Sequence, residues 1–201
     1  MNDWLVDTRT SYDTVAVSYA DHTRGLLDGL PHLRAALRLF AEEVRGPVAD
    51  VGCGPGDITA RLHGLGVDAF GIDLSPAMIA LARANHPGLR FEVGSMTEPL
   101  NASVGGILSW WSLIHVPDEL VPTVLGHFRE ALPPGGLLQL GFHVGDGTNL
   151  KTQGYGGHPM RVHVHLRRPE RVAEWLRAAG FTVEAQWLLG EDGAVLFARR
   201  G

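Results

Sequence analysis

The 201-residue chain contains a single cysteine, Cys53, which excludes an internal disulfide and is compatible with a reducing compartment. It also lacks a long apolar run, and its first residues are acidic. Neither a secretory signal nor a transmembrane helix is therefore predicted. We expect a cytoplasmic protein that does not enter a membrane.

The chain also has fewer basic than acidic residues. The net charge is -5 and the isoelectric point is near 6.0, whereas nucleic-acid-binding domains usually carry a basic face. Apolar residues make up 45% of the chain and charged residues 19%, as in globular proteins. We expect one domain over residues 1–201 that does not bind nucleic acid and that is a monomer or a homodimer.

A glycine-rich stretch follows a short apolar run that begins at Val48. Glycines at positions 52, 54 and 56 alternate with other residues, and an apolar-periodic helix is predicted from Ile58 to Leu65. Glycine allows positive φ and close approach of a ligand to the backbone, while the first N–H groups of the helix are free. The stretch is typical of a strand, a tight turn and a helix N-terminus that together hold a nucleotide.

Two common nucleotide-binding motifs do not match this stretch. The third glycine of the dinucleotide fingerprint is replaced by Asp57, and the Lys-Ser or Lys-Thr pair of a P-loop is absent. Asp50 and Asp57 place negative charge on both sides of the glycines, which suits an amine or a sulfonium better than a pyrophosphate. The ligand that we expect is S-adenosylmethionine.

Strand and helix patterns alternate from Val48 to Phe142, which indicates a doubly wound parallel sheet. The second strand ends at Asp73, about twenty residues past the glycines, where a carboxylate can accept hydrogen bonds from ribose hydroxyls. Ser75 and Pro76 are expected to begin the next helix as its N-cap and first-turn residues.

The segments outside this alternation are assigned to other roles. Two helices over 10–24 and 31–44 form an N-terminal helical cap within residues 1–46, and residues 47–201 form the core. The glycine-rich connection over 143–167 is expected to be a substrate loop or lid. A helix and a two-stranded hairpin end the chain.

The chain resembles the class I S-adenosylmethionine-dependent methyltransferases. The motifs that carry the resemblance are Asp-Val-Gly-Cys-Gly-Pro-Gly from Asp50, Gly-Ile-Asp-Leu-Ser-Pro-Ala-Met to Met78, Gly94-Ser95-Met96, Trp110 to Pro117, and Leu-Pro-Pro-Gly-Gly to Gly136. The resemblance implies an α/β, Rossmann-like, mostly parallel seven-stranded sheet with an antiparallel last strand and an N-terminal helical extension. It also implies methyl transfer from S-adenosylmethionine.

The resemblance implies cofactor-binding roles for residues that match the family motifs. Asp50, with the glycines, would line the methionine portion, Asp73 would bind the ribose, and Tyr19 would close over the cofactor carboxylate. Tyr12 would face the methyl group. The full set of cofactor residues is Tyr19, Asp50, Gly52, Cys53, Gly54, Asp73, Leu74, Met78, Ser95, Met96, Trp110 and Trp111. Cys53 could be a nucleophile at a helix N-terminus or simply a small residue that fits.

Methyl transfer requires alignment, exclusion of water and removal of one proton from a hydroxyl or amine acceptor. His115 follows the fourth strand and His143 the fifth, at the edge of the sheet where ligands bind. We prefer His115 and then His143 as the general base, although each could be a structural hydrogen-bonding group. Tyr12 completes the predicted catalytic set.

His163 and His165 would point the same way on a strand and could form a metal site with His143 or His158. No acidic or cysteine partner stands at ligand spacing, so we predict no metal. The predicted function is transfer of a methyl group to a small organic acceptor, with O- or N-methylation favoured. A non-catalytic S-adenosylmethionine-binding module and an NAD-dependent oxidoreductase remain alternatives.

Overall fold

The computed structural model describes residues 3–201, so Met1 and Asn2 of the predicted helical cap lie outside the described residues. The helices are α1 (Asp3–Thr23), α2 (Pro31–Glu43), α3 (Asp57–Gly64), α4 (Pro76–Asn85), α5 (Val121–Ala131) and α6 (Pro169–Ala178). The strands are β1 (Val48–Val51), β2 (Ala69–Asp73), β3 (Phe91–Val93), β4 (Gly106–Trp110), β5 (Leu137–His143), β6 (Thr148–Gln153), β7 (Pro159–His165), β8 (Phe181–Leu189) and β9 (Gly193–Arg200).

Seven strands form one sheet in the order β3-β2-β1-β4-β5-β9-β8. The strands from β3 to β5 are parallel, and β9 lies antiparallel to both β5 and β8. The predicted fold class is confirmed. The strand order reverses between β1 and β4, and the crevice beyond their carboxyl ends is where ligands bind in open α/β sheets.

Helices cover both faces of the sheet because its central strands are apolar on both sides. One core cluster joins the sheet to α5 and α6 around Leu125 and Phe128, and a second joins it to α2 and α3 around Phe40 and Leu62. All four side chains are fully buried. No helix between Asp3 and Gly201 combines the length and apolar character needed to cross a bilayer.

The connection over 143–167 differs from the predicted loop, because most of it is the antiparallel hairpin of β6 and β7. Its glycines lie before β6 and in the turn, whereas Met160 and Val162 of β7 are buried against the fully buried Val15 of α1. This small apolar cluster stabilises the hairpin as strands. The glycine content that predicted a loop belongs to the entry and the turn of the hairpin and not to its strands.

The first helix is also longer than predicted, since α1 begins at Asp3 rather than near Thr10. Residues 3–9 were not predicted as helical because they mix polar and apolar residues without a clear helical period. Trp4, Leu5 and Thr8 of these first two turns line a cavity beside the sheet. The remaining predicted helices and strands agree with the structure to within a few residues. Ser75 caps α4 as predicted, since its Oγ accepts a hydrogen bond from Met78 N at 3.1 Å.

Candidate functional site

The glycine loop lies between β1 and α3. Gly52, Gly54 and Gly56 have φ values of 83°, 54° and 89°, a region that residues with a Cβ rarely adopt. A Cβ atom at Gly52 would overlap the side chain of Ser112, which follows β4. Glycine at this position therefore lets the β1 and β4 ends approach each other at the point where the strand order reverses.

Ser112 stabilises the contact between the ends of β1 and β4 by hydrogen bonds. Its Oγ donates to the carbonyl oxygen of Val51 at 2.8 Å and lies 2.8 Å from Ser109 Oγ. Sequence reasoning did not assign a role to Ser112, because the contact joins residues 61 positions apart. The short hydroxyl chain ties the segment after β4 to the end of β1.

Asp73 lies at the end of β2, beside the glycine loop. Its two carboxylate oxygens accept hydrogen bonds from Gly54 N and Ser75 N, both at 2.8 Å. Burial raises the pKa of Asp73, while these two backbone donors lower it. Each oxygen retains a lone pair for a further donor.

A cavity of about 710 Å³, its open mouth included, extends from this loop toward α1 and the segment after β4. It is lined by Trp4, Leu5, Thr8, Tyr12, Tyr19, Val51, Gly52, Gly54, Asp73, Leu74, Met78, Gly94, Ser95, Met96, Thr97, Trp110, Trp111, Ser112, His115 and Val116. The structure thus brings most of the predicted site residues to one cavity.

Three predicted residues lie outside the cavity lining. Asp50 is buried beneath the glycine loop, where it accepts a hydrogen bond from Thr59 Oγ1 at 2.6 Å and where burial raises its pKa to about 7. Cys53 packs against Phe91 in a small apolar cluster. His143 meets the ring of Trp111 edge-on, with ring centroids 6.2 Å apart.

The environment of Cys53 decides between its two interpretations. The side chain is 7% exposed, and burial raises the pKa of its thiol above the ordinary value. A reactive cysteine requires a lowered pKa and solvent access. Cys53 is therefore a packing residue under the glycine loop, and its interpretation as a nucleophile is wrong.

Tyr12 and His115 form a hydrogen-bonded pair in the cavity wall. Tyr12 Oη lies 2.8 Å from His115 Nε2, and His115 Nδ1 lies 2.9 Å from the carbonyl oxygen of His163. A carbonyl can only accept, so Nδ1 carries the hydrogen and Nε2 has the lone pair. Tyr12 therefore donates its hydroxyl hydrogen to His115.

Burial maintains these protonation states. It lowers the pKa of His115 to about 4, so that the imidazole is neutral at neutral pH. It raises the pKa of Tyr12 well above the ordinary value, which keeps the phenol protonated. Tyr19 lies edge-on to Tyr12 with ring centroids 5.9 Å apart, and burial raises its pKa as well.

Arg167 supports the segment that contains His115. Its guanidinium donates to the backbone carbonyls of Leu113, at 2.9 Å, and Val116, one on each side of the histidine, and to Asp118 Oδ1 at 3.0 Å. Only 2% of the Arg167 side chain is exposed. Sequence reasoning missed this residue, because arginines clustered near position 167 are typical of a solvated helix start.

The two adjacent tryptophans, Trp110 and Trp111, point to different surroundings. Trp110 packs in the core cluster on the α2 side of the sheet. Trp111 has a φ of 48° and packs against the core clusters on both sides of the sheet. A bulky residue rarely adopts positive φ, and such strain is common where a ligand is bound. Trp111 thereby forms part of the cavity wall.

The histidines of the hairpin have local partners. The rings of His163 and His165 stack with centroids 6.4 Å apart, and His165 Nδ1 lies 2.8 Å from Thr148 Oγ1. Within residues 3–201, no group of three or more His, Cys, Asp or Glu side chains is arranged to hold a metal ion.

Sequence comparisons agree with this geometry. A family model described as a methyltransferase domain matches residues 48–136. A trans-aconitate 2-methyltransferase of Deinococcus radiodurans is 40% identical over 103 residues, which are 50% of this chain and 39% of that protein. A carboxy-S-adenosyl-L-methionine synthase of Chromohalobacter salexigens is 32% identical over 141 residues, 64% of this chain and 52% of that protein. The chain spans about half the length of the curated relatives it matches.

Solved structures share the fold over the whole chain. A structure described as the DhpI–SAH complex superposes with a TM-score of 0.83 at 22% identity and covers 100% of this chain and 98% of that one. The magnesium protoporphyrin IX methyltransferase of Synechocystis PCC 6803 with bound SAM has a TM-score of 0.74 at 17% identity, with 100% and 99% coverage. At these identities the likeness concerns the fold.

Proposed function

Since the chain belongs to the class I S-adenosylmethionine-dependent methyltransferases, we propose that it transfers a methyl group from S-adenosylmethionine to a small organic acceptor. O- or N-methylation is favoured. The observation that carries the proposal is the buried carboxylate of Asp73 in the cavity wall, which has backbone N–H donors and room for two more hydrogen bonds.

The residues present fit the cofactor. Hydroxyl groups of a ribose are donors that would complete the lone pairs of Asp73. Leu74 and Met78 offer apolar surface to an adenine ring beside them, and Gly54 leaves backbone exposed where a Cβ would lie 3.6 Å from the ring of Tyr19. Gly94, Ser95 and Met96 border the same end of the cavity.

Catalysis requires space for an acceptor as well as for the cofactor, and the cavity offers such a space. It continues past the glycine loop to Trp111, His115 and Val116, which supports transfer rather than binding alone. Bound S-adenosylmethionine supplies a methyl group on a positively charged sulfur. The protein must align the acceptor with that methyl group, exclude water and receive one proton.

We assign the proton to the Tyr12 and His115 pair. Tyr12 Oη would accept a hydrogen bond from the hydroxyl or amine of the acceptor. As the methyl group passed from the cofactor sulfur to the acceptor oxygen or nitrogen, with the carbon–sulfur bond breaking, the proton released by the acceptor would move to Tyr12 Oη. The phenolic hydrogen moves at the same time to His115 Nε2, which returns it to solvent, since burial disfavours the imidazolium. His143 does not line the cavity and is left out of this step.

Calorimetry with S-adenosylmethionine, S-adenosylhomocysteine and NAD tests the cofactor. We expect the first two to bind and NAD not to bind. Asp73→Asn should weaken S-adenosylhomocysteine binding by roughly 10- to 100-fold, because hydrogen bonds to charged groups contribute more than neutral ones. Asp68→Asn is the matched control, since Asp68 is exposed just before the other end of the same strand.

Transfer is tested separately, with methyl-labelled cofactor and panels of hydroxylated, amino and carboxylic compounds that include trans-aconitate. Labelling of a small molecule supports the proposal. Cofactor binding without transfer to any compound would favour a binding module, and labelling of RNA or protein would contradict a small acceptor.

A further inference from the structure

We infer that the acceptor is an uncharged, aromatic hydroxyl compound and not a carboxylate. This inference rests on the proposed function and names the substrate class of the same site. It is carried by the composition of the cavity wall beyond the cofactor end, by the absence of a counter-charge there, and by the direction in which the wall hydroxyls point.

The wall of the acceptor end is apolar and largely aromatic. Trp4 and Leu5 contribute from the first turn of α1, and Trp111 and Val116 contribute from the segment after β4. Trp4 and Trp111 also pack against the same core cluster. Indole rings favour contact with a flat ring.

No basic side chain lines the cavity among residues 3–201, and its one charged group is the carboxylate of Asp73. Three basic residues on elements next to the cavity contact other groups of the protein. Arg167 holds the Leu113 and Val116 carbonyls, Lys151 Nζ lies 4.1 Å from the centre of the Tyr155 ring, and Arg161 pairs with Asp7 at 2.8 Å. A carboxylate would therefore enter without a protein counter-charge, which is costly in a buried site.

The hydroxyl groups of the acceptor end present lone pairs only. The hydrogen of Tyr12 is donated to His115 Nε2, because Nδ1 must donate to the His163 carbonyl. The hydrogen of Thr8 Oγ1 is donated to the Trp4 carbonyl oxygen at 2.7 Å. Both oxygens can thus accept a hydrogen bond from a ligand, and both repel an anion.

These three features select the same chemistry. A flat ring fills the aromatic space, a hydroxyl satisfies the Tyr12 lone pair, and neutrality avoids burying an anion that no basic side chain of the wall neutralises. The positive sulfur of the cofactor would attract an anion in any member of the family. Discrimination therefore depends on the protein wall, and this wall favours a neutral donor.

Matched ligands test the inference on the full chain. We would measure binding of 4-methylphenol, 4-methylanisole and 4-methylbenzoate to the complex with S-adenosylhomocysteine by quenching of tryptophan fluorescence, and methylation of the phenol and the benzoate with labelled S-adenosylmethionine. We expect the phenol to bind about tenfold more tightly than the ether, which lacks the donor, and more tightly still than the benzoate. The phenol alone should be methylated.

Tyr12→Phe provides the second arm. It keeps the ring and removes the oxygen, so the preference for the phenol over the ether should disappear. Benzoate that binds or is methylated as well as the phenol would overturn the inference, as would failure of all three ligands to bind or an unchanged preference in Tyr12→Phe. Calorimetry with S-adenosylhomocysteine alone distinguishes failure of the acceptor class from failure of the proposed function, because absence of S-adenosylhomocysteine binding would contradict the proposed function itself.

Discussion

Asp13 Oδ1 lies 2.6 Å from Ser75 Oγ, across 62 positions of the chain. The same oxygen accepts from Ala77 N at 3.0 Å, so a carboxylate of α1 caps the N-terminus of α4 together with Ser75. A negative charge is favoured at a helix N-terminus. The contact fixes α1, and with it Tyr12 and Tyr19, over the cavity.

Asp13→Ala should lower the free energy of unfolding by about 1 to 2 kcal/mol, because it removes an acceptor for two donors. Urea denaturation followed by circular dichroism measures this change. Asp21→Ala is the control on the same helix, since Asp21 forms an exposed ion pair with Arg24, which should contribute less than about 1 kcal/mol. Equal losses in the two variants would show that the Asp13 cap does not stabilise the protein.

Gly52→Ala should destabilise the protein by roughly 2 to 4 kcal/mol and weaken cofactor binding, because it combines strain at positive φ with overlap against Ser112. Gly66→Ala is the matched control. Gly66 has a similar φ of 85° but faces open space, so this variant reports backbone strain alone, about 1 kcal/mol. Thermal denaturation and calorimetry of both variants test the difference, and equal effects would argue against the steric interpretation.

Arg167→Met should cost about 2 to 4 kcal/mol of stability, because the Val116 carbonyl loses its buried guanidinium donor and the Leu113 carbonyl keeps only the hydrogen bond from Val116 N. Arg168→Met removes a neighbouring arginine whose pair with Asp146 is 68% exposed on both sides, and it should have little effect. Measured kcat should fall in Arg167→Met with less change in the KM for the cofactor. A wild-type kcat in a folded Arg167→Met would contradict its positioning of His115.

His115 should make stability fall on acidification. Its pKa is lowered from 6.5 to about 4 in the folded protein, so the unfolded chain binds more protons between these values. The stabilisation that wild type has over His115→Gln should therefore decrease by about 2 kcal/mol from pH 7 to pH 5. The raised pKa of Asp50 acts in the opposite direction but is present in both proteins, so it cancels in the comparison.

Urea denaturation of wild type and His115→Gln at the two pH values measures this decrease. A difference in stability that does not depend on pH would show that the imidazole is not titrating as a buried group.

Much of the site could be predicted from local sequence. Asp73 and Ser75 could be predicted because a strand end and a helix start carry recognisable residues in a short span. Asp73 lies in the cavity wall, and Ser75 caps α4. Assignment of His115 and His143 to one edge of the sheet followed from strand order. The structure brings His115 into the cavity and directs His143 toward Trp111 outside it.

Residues that act through distant contacts could not be predicted in this way. Asp13, Ser112 and Arg167 have ordinary local contexts, and their roles depend on partners 49 to 64 positions away. The hairpin over 148–165 was also missed. Residues 160–165 of its second strand alternate between apolar and polar, but the glycines before and between the two strands favoured a loop, and the burial of Met160 and Val162 against Val15 depends on the tertiary structure.

Periodicity and glycine spacing act over a few residues, so the α/β fold class, the glycine turn and the carboxylate at the end of β2 could all be predicted from local sequence. Three features could not be predicted: which side chains share the cavity, which nitrogen of His115 carries the hydrogen, and how α1 closes over the site. These depend on hydrogen bonds and packing between segments that meet only when the sheet has formed.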